Sequence, residues 1–402
     1  MKPSPYEQLS GDKGSALLAG LTLYKEERVT DAVAYARSRA EPDVAAAALA
    51  TAFARRRASA AGKFSRAGDM LFTRAGYEQA SSEAVARHRA TRFANFQNVA
   101  DLCCGIGSDT IALANAAESV MSVDLDADAL ACTHANADAL GVGARVTTTQ
   151  ADVLEIDVSR YDAVFADPSR RPGGVRVRRA DRYAPPIESL LSRAAEIRGR
   201  RLAVKTAPGL NFDDQSWSAR LHSAPLEIEV VSERGTCKEA VLWCGELARC
   251  DGARRATVID ETGAHILDGD PAAQVEQRPL GNHIGEPDPA VIRAGLIAAA
   301  CAGTDAGPVD ARVGYVTADT PPPSPFVRWY PLIDAMPFNV KRVRAVLRSR
   351  GIGGLTVKTR AFPLKPEEII SLLKPAGDGR ATLICVTFGE KKWALLCGTV
   401  GA

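Results

Sequence analysis

From about residue 95 onward, short apolar runs alternate with stretches whose apolar positions recur every three to four residues. The order is NVADLCC, DTIALANAA, SVMSVDL, DALACTHANADALG, ARVTTTQAD and YDAVFADPS. That texture predicts strands buried on both faces alternating with amphipathic helices, the mark of a parallel sheet covered on both sides. RRLAVKTAP supplies a further strand, and LEIEVVSERG with KEAVLWCGEL reads as two strands joined by a tight turn at an antiparallel edge. Upstream, DVAAAALATAFARRRASAAGKF and SSEAVARHRATRF read as helices. Downstream, ATVIDETGAHILDG predicts a hairpin, and EPDPAVIRAGLIAAACAG predicts one helix opened by proline. TPPPSP at 320–325 reads as a stiff linker. Beyond it, VKRVRAVLRSRGI, GLTVKTRAF, KPEEIISLLKPAG, ATLICVTFGE and KKWALLCGTV form a helix–strand–helix–hairpin module. The expected organisation is a helical domain over 1–90, an α/β domain over 91–250, a small α/β segment over 251–320 and an α+β module over 321–402.

Composition narrows the class. With 50 Lys and Arg against 48 Asp and Glu, net charge is +2, so only local clustering can point to nucleic acid. MKPSPYEQLSGDKGS has no apolar core of the signal-peptide kind, and no run of about 18 apolar residues offers a membrane span. The nine cysteines form no CxxC pair, which fits free thiols in a reducing, cytoplasmic setting. His88, His134, His222, His265 and His283 share no ligand spacing, so no metal is expected. Oligomeric state is not legible.

Candidate chemistry centres on Asp101-Leu-Cys-Cys-Gly105-Ile-Gly107-Ser-Asp109, which follows an apolar strand and opens a helix. Glycine lets the backbone turn sharply there and lets a ligand approach. The third glycine of the nicotinamide-binding fingerprint is missing, and a leading carboxylate would repel a pyrophosphate but accept from a cationic amino-acid moiety. The second strand ends at Asp124, placed to hold ribose hydroxyls. Asp152 follows the third strand and can accept from an adenine amino group. Asp167 follows the fourth. Asp109 and Asp126 also suit helix N-caps.

These motifs, D-L-C-C-G-I-G-S-D, V-D-L-D, Q-A-D-V and A-D-P-S-R-R, resemble those of class I methyltransferases. More narrowly, EQASSEAVARHRATRF, DPSRRPGG, KTAPG, EPDPAVIRAG and VKTRAFPLKPEE are similar to bacterial class I methyltransferases with a THUMP-like C-terminal domain. The resemblance implies a Rossmann-like catalytic core, a helical N-terminal domain, a ferredoxin-like segment and a THUMP-like end, with S-adenosylmethionine as cofactor. It implies Gly105 and Gly107 along the methionine side and Asp101 near the amino group. It also implies Asp124 at the ribose and Asp152 at the adenine. Cys103 and Leu125 share these motifs, and Gln79 is a further contact at the amino-acid end.

At the acceptor loop, amino-methylating relatives carry Asn/Asp-Pro-Pro-aromatic. Asp167 and Pro168 fit; Ser169 and Arg170 do not, so the second proline and the stacking aromatic are missing. Asp167 is expected to orient an amine, with Lys205 facing the same crevice as a substrate contact or as a partner of Asp167. Arg170, Arg171, Arg176 and Arg178 crowd beyond it and suit phosphate capture. Lys341, Arg342 and Arg344 load one short helix without interspersed acids, and THUMP domains bind RNA. The resulting expectation is an enzyme methylating a base nitrogen of tRNA or rRNA, with a lean to guanine N2. The rivals are a catalytically idle RNA-binding protein that keeps the fold, and a protein or small-molecule methyltransferase.

Overall fold

A computed structural model describes residues 3–24, 28–170, 182–212, 224–250 and 252–399. Contacts divide the chain into two units, Met1–Ile228 with Glu239–Gly252, and Glu229–Lys238 with Ala253–Ala402. The first opens with α1 (Pro5–Leu9), α2 (Asp12–Leu21), α3 (Val29–Arg37) and α4 (Pro42–Ala60). Ser4 caps α1 in a capping box with Glu7, and Pro42 starts α4, where a missing N–H costs nothing. α5 (Arg74–Gln79) and α6 (Glu83–Ala90) follow. Leu17, Leu21, Ala48, Met70 and Phe72 pack in one core with Ile106, Ala131 and Cys132.

The α/β part comprises β1 (Asn98–Leu102), α7 (Ser108–Ala116), β2 (Ser119–Asp124), α8 (Ala127–Ala139), β3 (Val146–Gln150) and β4 (Ala163–Ala166). It continues with α9 (Ile187–Ser192), β5 (Leu202–Thr206), β6 (Leu226–Glu233) and β7 (Thr236–Cys244). β1, β4 and β5 are buried almost throughout because both faces are covered. Phe165, Ala203, Val241 and Trp243 face one layer; Val164, Ala166, Val204 and Leu242 face the other. The strand order is β3-β2-β1-β4-β5-β7-β6, parallel from β3 through β5, with β7 antiparallel to β5. The order reverses between β1 and β4, so the carboxyl ends of those two strands flank the crevice where such sheets bind ligands.

The second unit holds the β6–β7 tip, β8 (Arg254–Asp260), β9 (Gly263–Gly269), β10 (His283–Pro287), β11 (Gly307–Pro308), β12 (Val316–Ala318) and β13 (Val327–Pro337). β14 (Ile352–Arg360), β15 (Gly379–Phe388) and β16 (Lys391–Cys397) complete it, with helices Pro289–Ala294, Ile297–Cys301, Val340–Ser349 and Pro366–Leu373. A seven-stranded sheet runs β11-β12-β10-β13-β16-β15-β14. Residues 320–325 therefore connect two strands of one sheet. Other expectations differ from the structure as well. The single helix expected within 286–303 is split, because Gly295 adopts φ +75° and caps the first piece. The β6–β7 pair is not an edge, since β8 lies beside β6. β13 escaped notice because Pro331 and Pro337 argue against a strand.

Candidate active site

The loop after β1 is shaped by its backbone. Cys103, Gly105 and Gly107 have φ of +63°, +57° and +82°. The amides of Cys103 and Cys104 both donate to Val123 O. A left-handed non-glycine residue costs energy and tends to persist at functional sites. A Cβ built on Gly105 meets nothing within 4 Å, whereas one on Gly107 would stand 2.9 Å from Thr133 Cγ2 and 3.1 Å from its Cα. Gly105 thus faces open space while Gly107 seats the loop on α8. Gly107→Ala is expected to lose roughly 1–2 kcal/mol from the backbone alone and to weaken S-adenosylhomocysteine binding at least tenfold. Thermal melting and calorimetry would check this; unaltered affinity would separate the loop from any cofactor role.

The strand-end carboxylates differ in their partners. Asp101 is 0% exposed; its Oδ2 accepts from Thr110 Oγ1 at 2.5 Å, while Oδ1 is buried with no partner. Burial, then the nearby Asp109 and Asp167 carboxylates, push its carboxyl well above the usual range against the Thr110 bond and Arg89. Asp124 accepts from the amides of Gly105 (2.9 Å) and Asp126 (3.0 Å), so it ties the second strand to the glycine loop. Asp152 accepts from Leu154 N at 2.9 Å. Leu125 is 65% exposed beside Asp124. Of the two capping alternatives, Asp126 does cap α8, but Asp109 lies inside α7 and pairs with Arg89. Gln79 ends α5 with an exposed side chain. Burial and the surrounding aspartates push the thiols of Cys103 and Cys104 up.

At the acceptor side, Ala166 pairs with Val204, so Asp167 and Lys205 stand next to each other one position on. Lys205 Nζ donates to Asp167 Oδ2 at 2.6 Å; the lysine side chain is 3% exposed and the aspartate's 22%. Pro168 is buried. Ser169 and Ala184 exchange backbone hydrogen bonds at 2.9 and 3.1 Å. Both ends of the arginine-rich stretch are therefore fastened beside Asp167. Arg170 is partly exposed; Arg171, Arg176 and Arg178 lie outside the described residues.

Sequence reasoning missed the cluster beneath. Arg89, 3% exposed, pairs with Asp109 and with Glu239 (2.7 Å), and its guanidinium lies 4.6 Å from the Phe165 ring centroid. Ser81 Oγ donates to Asp109 Oδ2 (3.0 Å) and accepts from Lys205 (3.0 Å) and Arg89 (3.2 Å). Burial raises the carboxyl of Asp109, but Arg89 and Lys205 prevail and hold it below the usual range. Only the three-dimensional pairing of residues up to 150 positions apart reveals the group.

The second unit sorts its basic residues. Lys341 and Arg342 are exposed on helix Val340–Ser349, but Arg344 donates to Leu372 O and Leu373 O at the end of helix Pro366–Leu373. Lys358 pairs with Glu286 at 2.6 Å. Tyr330 is buried, Trp329 packs in a core, and Phe338 packs edge-on against Phe362. Likewise Arg55 donates to Met70 O, and Arg56 donates to Leu21 O and Thr22 O at the end of α2. Among the described residues no group of three or more His, Cys, Asp or Glu is arranged for a metal, and no helix is long and apolar enough to cross a membrane.

Three comparisons place this geometry. Residues 96–190 match the profile described as RNA cap guanine-N2 methyltransferase, and residues 327–399 match THUMP domain-like. An uncharacterised S-adenosylmethionine-dependent methyltransferase of Mycobacterium tuberculosis, in strains CDC 1551 and H37Rv, is 34% identical over 319 residues, covering 79% of this chain and 85% of the relative. The crystal structure of a Porphyromonas gingivalis W83 protein described as a methyltransferase superposes with a TM-score of 0.74 at 19% identity, covering 94% of this chain and 99% of that one, and so shares the fold. With the class I strand order, the glycine loop and an extensive relative in agreement, the chain belongs to the S-adenosylmethionine-dependent methyltransferases, with a THUMP-like domain at its C-terminal end.

Proposed function

We propose that the protein methylates a base nitrogen of tRNA or rRNA, with the exocyclic N2 of guanine as the favoured atom, and that Asp167 orients the acceptor. The observation that carries the reading is the Asp167 carboxylate, partly exposed at the mouth of the β1/β4 crevice and fixed by Lys205. The guanine-N2 profile over 96–190 and the THUMP-like profile over 327–399 support an RNA acceptor. Exposed Lys341 and Arg342 suit phosphate contacts.

The residues present fit the cofactor. Asp101 offers an unpartnered buried oxygen to its amino group, Gly105 offers open backbone, and Asp124 offers its remaining lone pairs to the ribose. Asp152, with Leu125, would hold the adenine, Gly107 would line the methionine side beside Cys103, and Gln79 would meet the amino-acid end. When bound, the cofactor supplies an electrophilic methyl group. Asp167 accepts one N–H of the acceptor amine, which turns the nitrogen lone pair out of conjugation and aims it. Transfer leaves that nitrogen cationic, and Asp167 takes up its extra proton and passes it to water. Lys205 keeps the carboxylate in place between turnovers, and buried Pro168 stiffens the loop. Arg170 adds a positive charge near an RNA phosphate, as do Arg171, Arg176 and Arg178 by their place in the sequence. Alignment and dryness supply most of the acceleration in such a displacement.

Labelled methyl transfer from S-adenosylmethionine into tRNA and rRNA from a strain lacking the protein tests this, followed by digestion to nucleosides. Label is expected in one methylated nucleoside, with Asp167→Ala reducing its rate about a hundredfold while S-adenosylhomocysteine still binds. Cofactor binding without label in any RNA would leave an RNA-binding protein or a non-RNA acceptor.

A further inference from the structure

Ser81 lies between α5 and α6, in the segment that precedes β1, and is 6% exposed. A serine hydroxyl has one donor and two acceptor sites. Here all three are used: Asp109 Oδ2 receives the proton, and Lys205 Nζ and Arg89 Nη2 donate in return. The hydroxyl thus stands between the Lys205 ammonium and the Asp109 carboxylate. Among the described residues Lys205 has one other hydrogen-bond partner, Asp167 Oδ2, and it sits on a flexible four-carbon stem.

We propose that Ser81 is a positioning residue for methyl transfer, holding the Lys205 ammonium against Asp167 and away from Asp109. The inference rests on the acceptor role of Asp167 proposed above. Without the hydroxyl, Lys205 has a second carboxylate within reach. Asp109 is deeper and less hydrated than Asp167, so its pull on the ammonium is stronger. Lys205 would turn inward, and Asp167 would lose the side-chain partner that fixes its rotamer. The cofactor pocket, formed by the β1–β3 ends, would be unaffected. A residue that touches neither reactant therefore sets the geometry of the acceptor side.

Ser81→Ala and Ser81→Thr test this in the full chain. Ser81→Ala is expected to lower kcat for RNA methylation by roughly tenfold to a hundredfold, the range for a small misplacement of an aligned group. KM for RNA and S-adenosylhomocysteine affinity should stay within about twofold, and Ser81→Thr, which keeps the hydroxyl, should recover most of the rate. A second readout needs no acceptor. In protein labelled with 15N-lysine, the Lys205 ammonium signal, identified by its loss in Lys205→Arg, should persist in Ser81→Thr and shift or exchange away in Ser81→Ala. Normal kcat with an unmoved signal in Ser81→Ala overturns the proposal. So does a rate loss accompanied by loss of cofactor affinity and not recovered by threonine. Should the wild type methylate no RNA, the acceptor reading fails by itself. The ammonium spectrum then still decides, and an unmoved signal rejects the role of Ser81.

Discussion

Arg89→Met is expected to cost the protein about 3–5 kcal/mol of folding stability, the range seen when one partner of a buried ion pair is removed. Methionine keeps the volume and the contact with the Phe165 ring, so the loss isolates charge and hydrogen bonds rather than a cavity. Asp109 and Glu239 would then share a site of 7% and 2% exposure with Lys205 as the remaining nearby cation. Burial alone would lower the Arg89 guanidinium's pKa, yet Asp109 and Glu239, then Asp167, raise it, so its charge is strongly favoured in the folded state. The pH dependence has a definite sign. In the wild type, the depressed carboxyl of Asp109 contributes stability above its unfolded pKa and loses it as pH falls through the folded value. In Arg89→Met that carboxyl has lost its main stabilising charge, so the deficit should be largest near pH 7 and shrink towards pH 5 as Asp109 takes up a proton. Urea unfolding at both values, with an unchanged m, measures it. A loss under 1 kcal/mol at pH 7, or one independent of pH, would show that the cluster is held by packing.

That cluster marks the limit of what the chain discloses before folding. The class I core was legible because buried parallel strands must be continuous apolar runs and because carboxylates at their ends are a fixed feature of the topology. Asp101 stands next to last in β1 and Asp124 ends β2, while Asp152 and Asp167 follow β3 and β4. Arg89 was not legible: in EAVARHRA it looks like one of three cations on a solvated helix end, and nothing local says that it points inward to Glu239. Ser81 was equally anonymous, since a serine before a helix reads as a cap, a task that falls to Ser82. Clusters of arginine are ambiguous for a different reason. Arg55, Arg56 and Arg344 donate to backbone carbonyls, two of them at helix ends, because a guanidinium's several donors suit that structural use as well as phosphate. Lys341 and Arg342, on the same helix as Arg344, stayed exposed. Charge counts cannot separate the two outcomes; partner geometry does.

Binding of S-adenosylhomocysteine is expected to release protons from the protein, and their source is Asp101. The carboxyl is fully buried, Oδ1 lacks a partner, and burial together with Asp109 and Asp167 holds its pKa well above the carboxylate norm, so the free site favours its neutral form. Oδ2 meets Thr110, whose hydroxyl lies 2.9 Å from that of Ser122, so this short chain can turn its protons round when Asp101 ionises. The charges around it are Asp109 and Arg89 from the α6–α7 side, Asp124 at the end of β2, and Asp167 with its partner Lys205 beyond β4 and β5. None of the cations donates to Oδ1, so an arriving ammonium is the group that would make the ionised form favourable there. The linkage follows. A group protonated in the free state and ionised in the complex makes affinity rise with pH, by up to about tenfold per unit below its free pKa. The free protein should lose stability as pH rises through that same pKa, and bound S-adenosylhomocysteine should restore it. Calorimetry in phosphate and in Tris gives the proton count from the difference in apparent heat. Asp101→Asn, neutral at every pH, should bind more weakly and release nothing. Tight binding by the wild type with no proton released, matched by Asp101→Asn, would mean that Asp101 serves as a neutral acid and that the cofactor's ammonium finds its counter-charge elsewhere in the crevice.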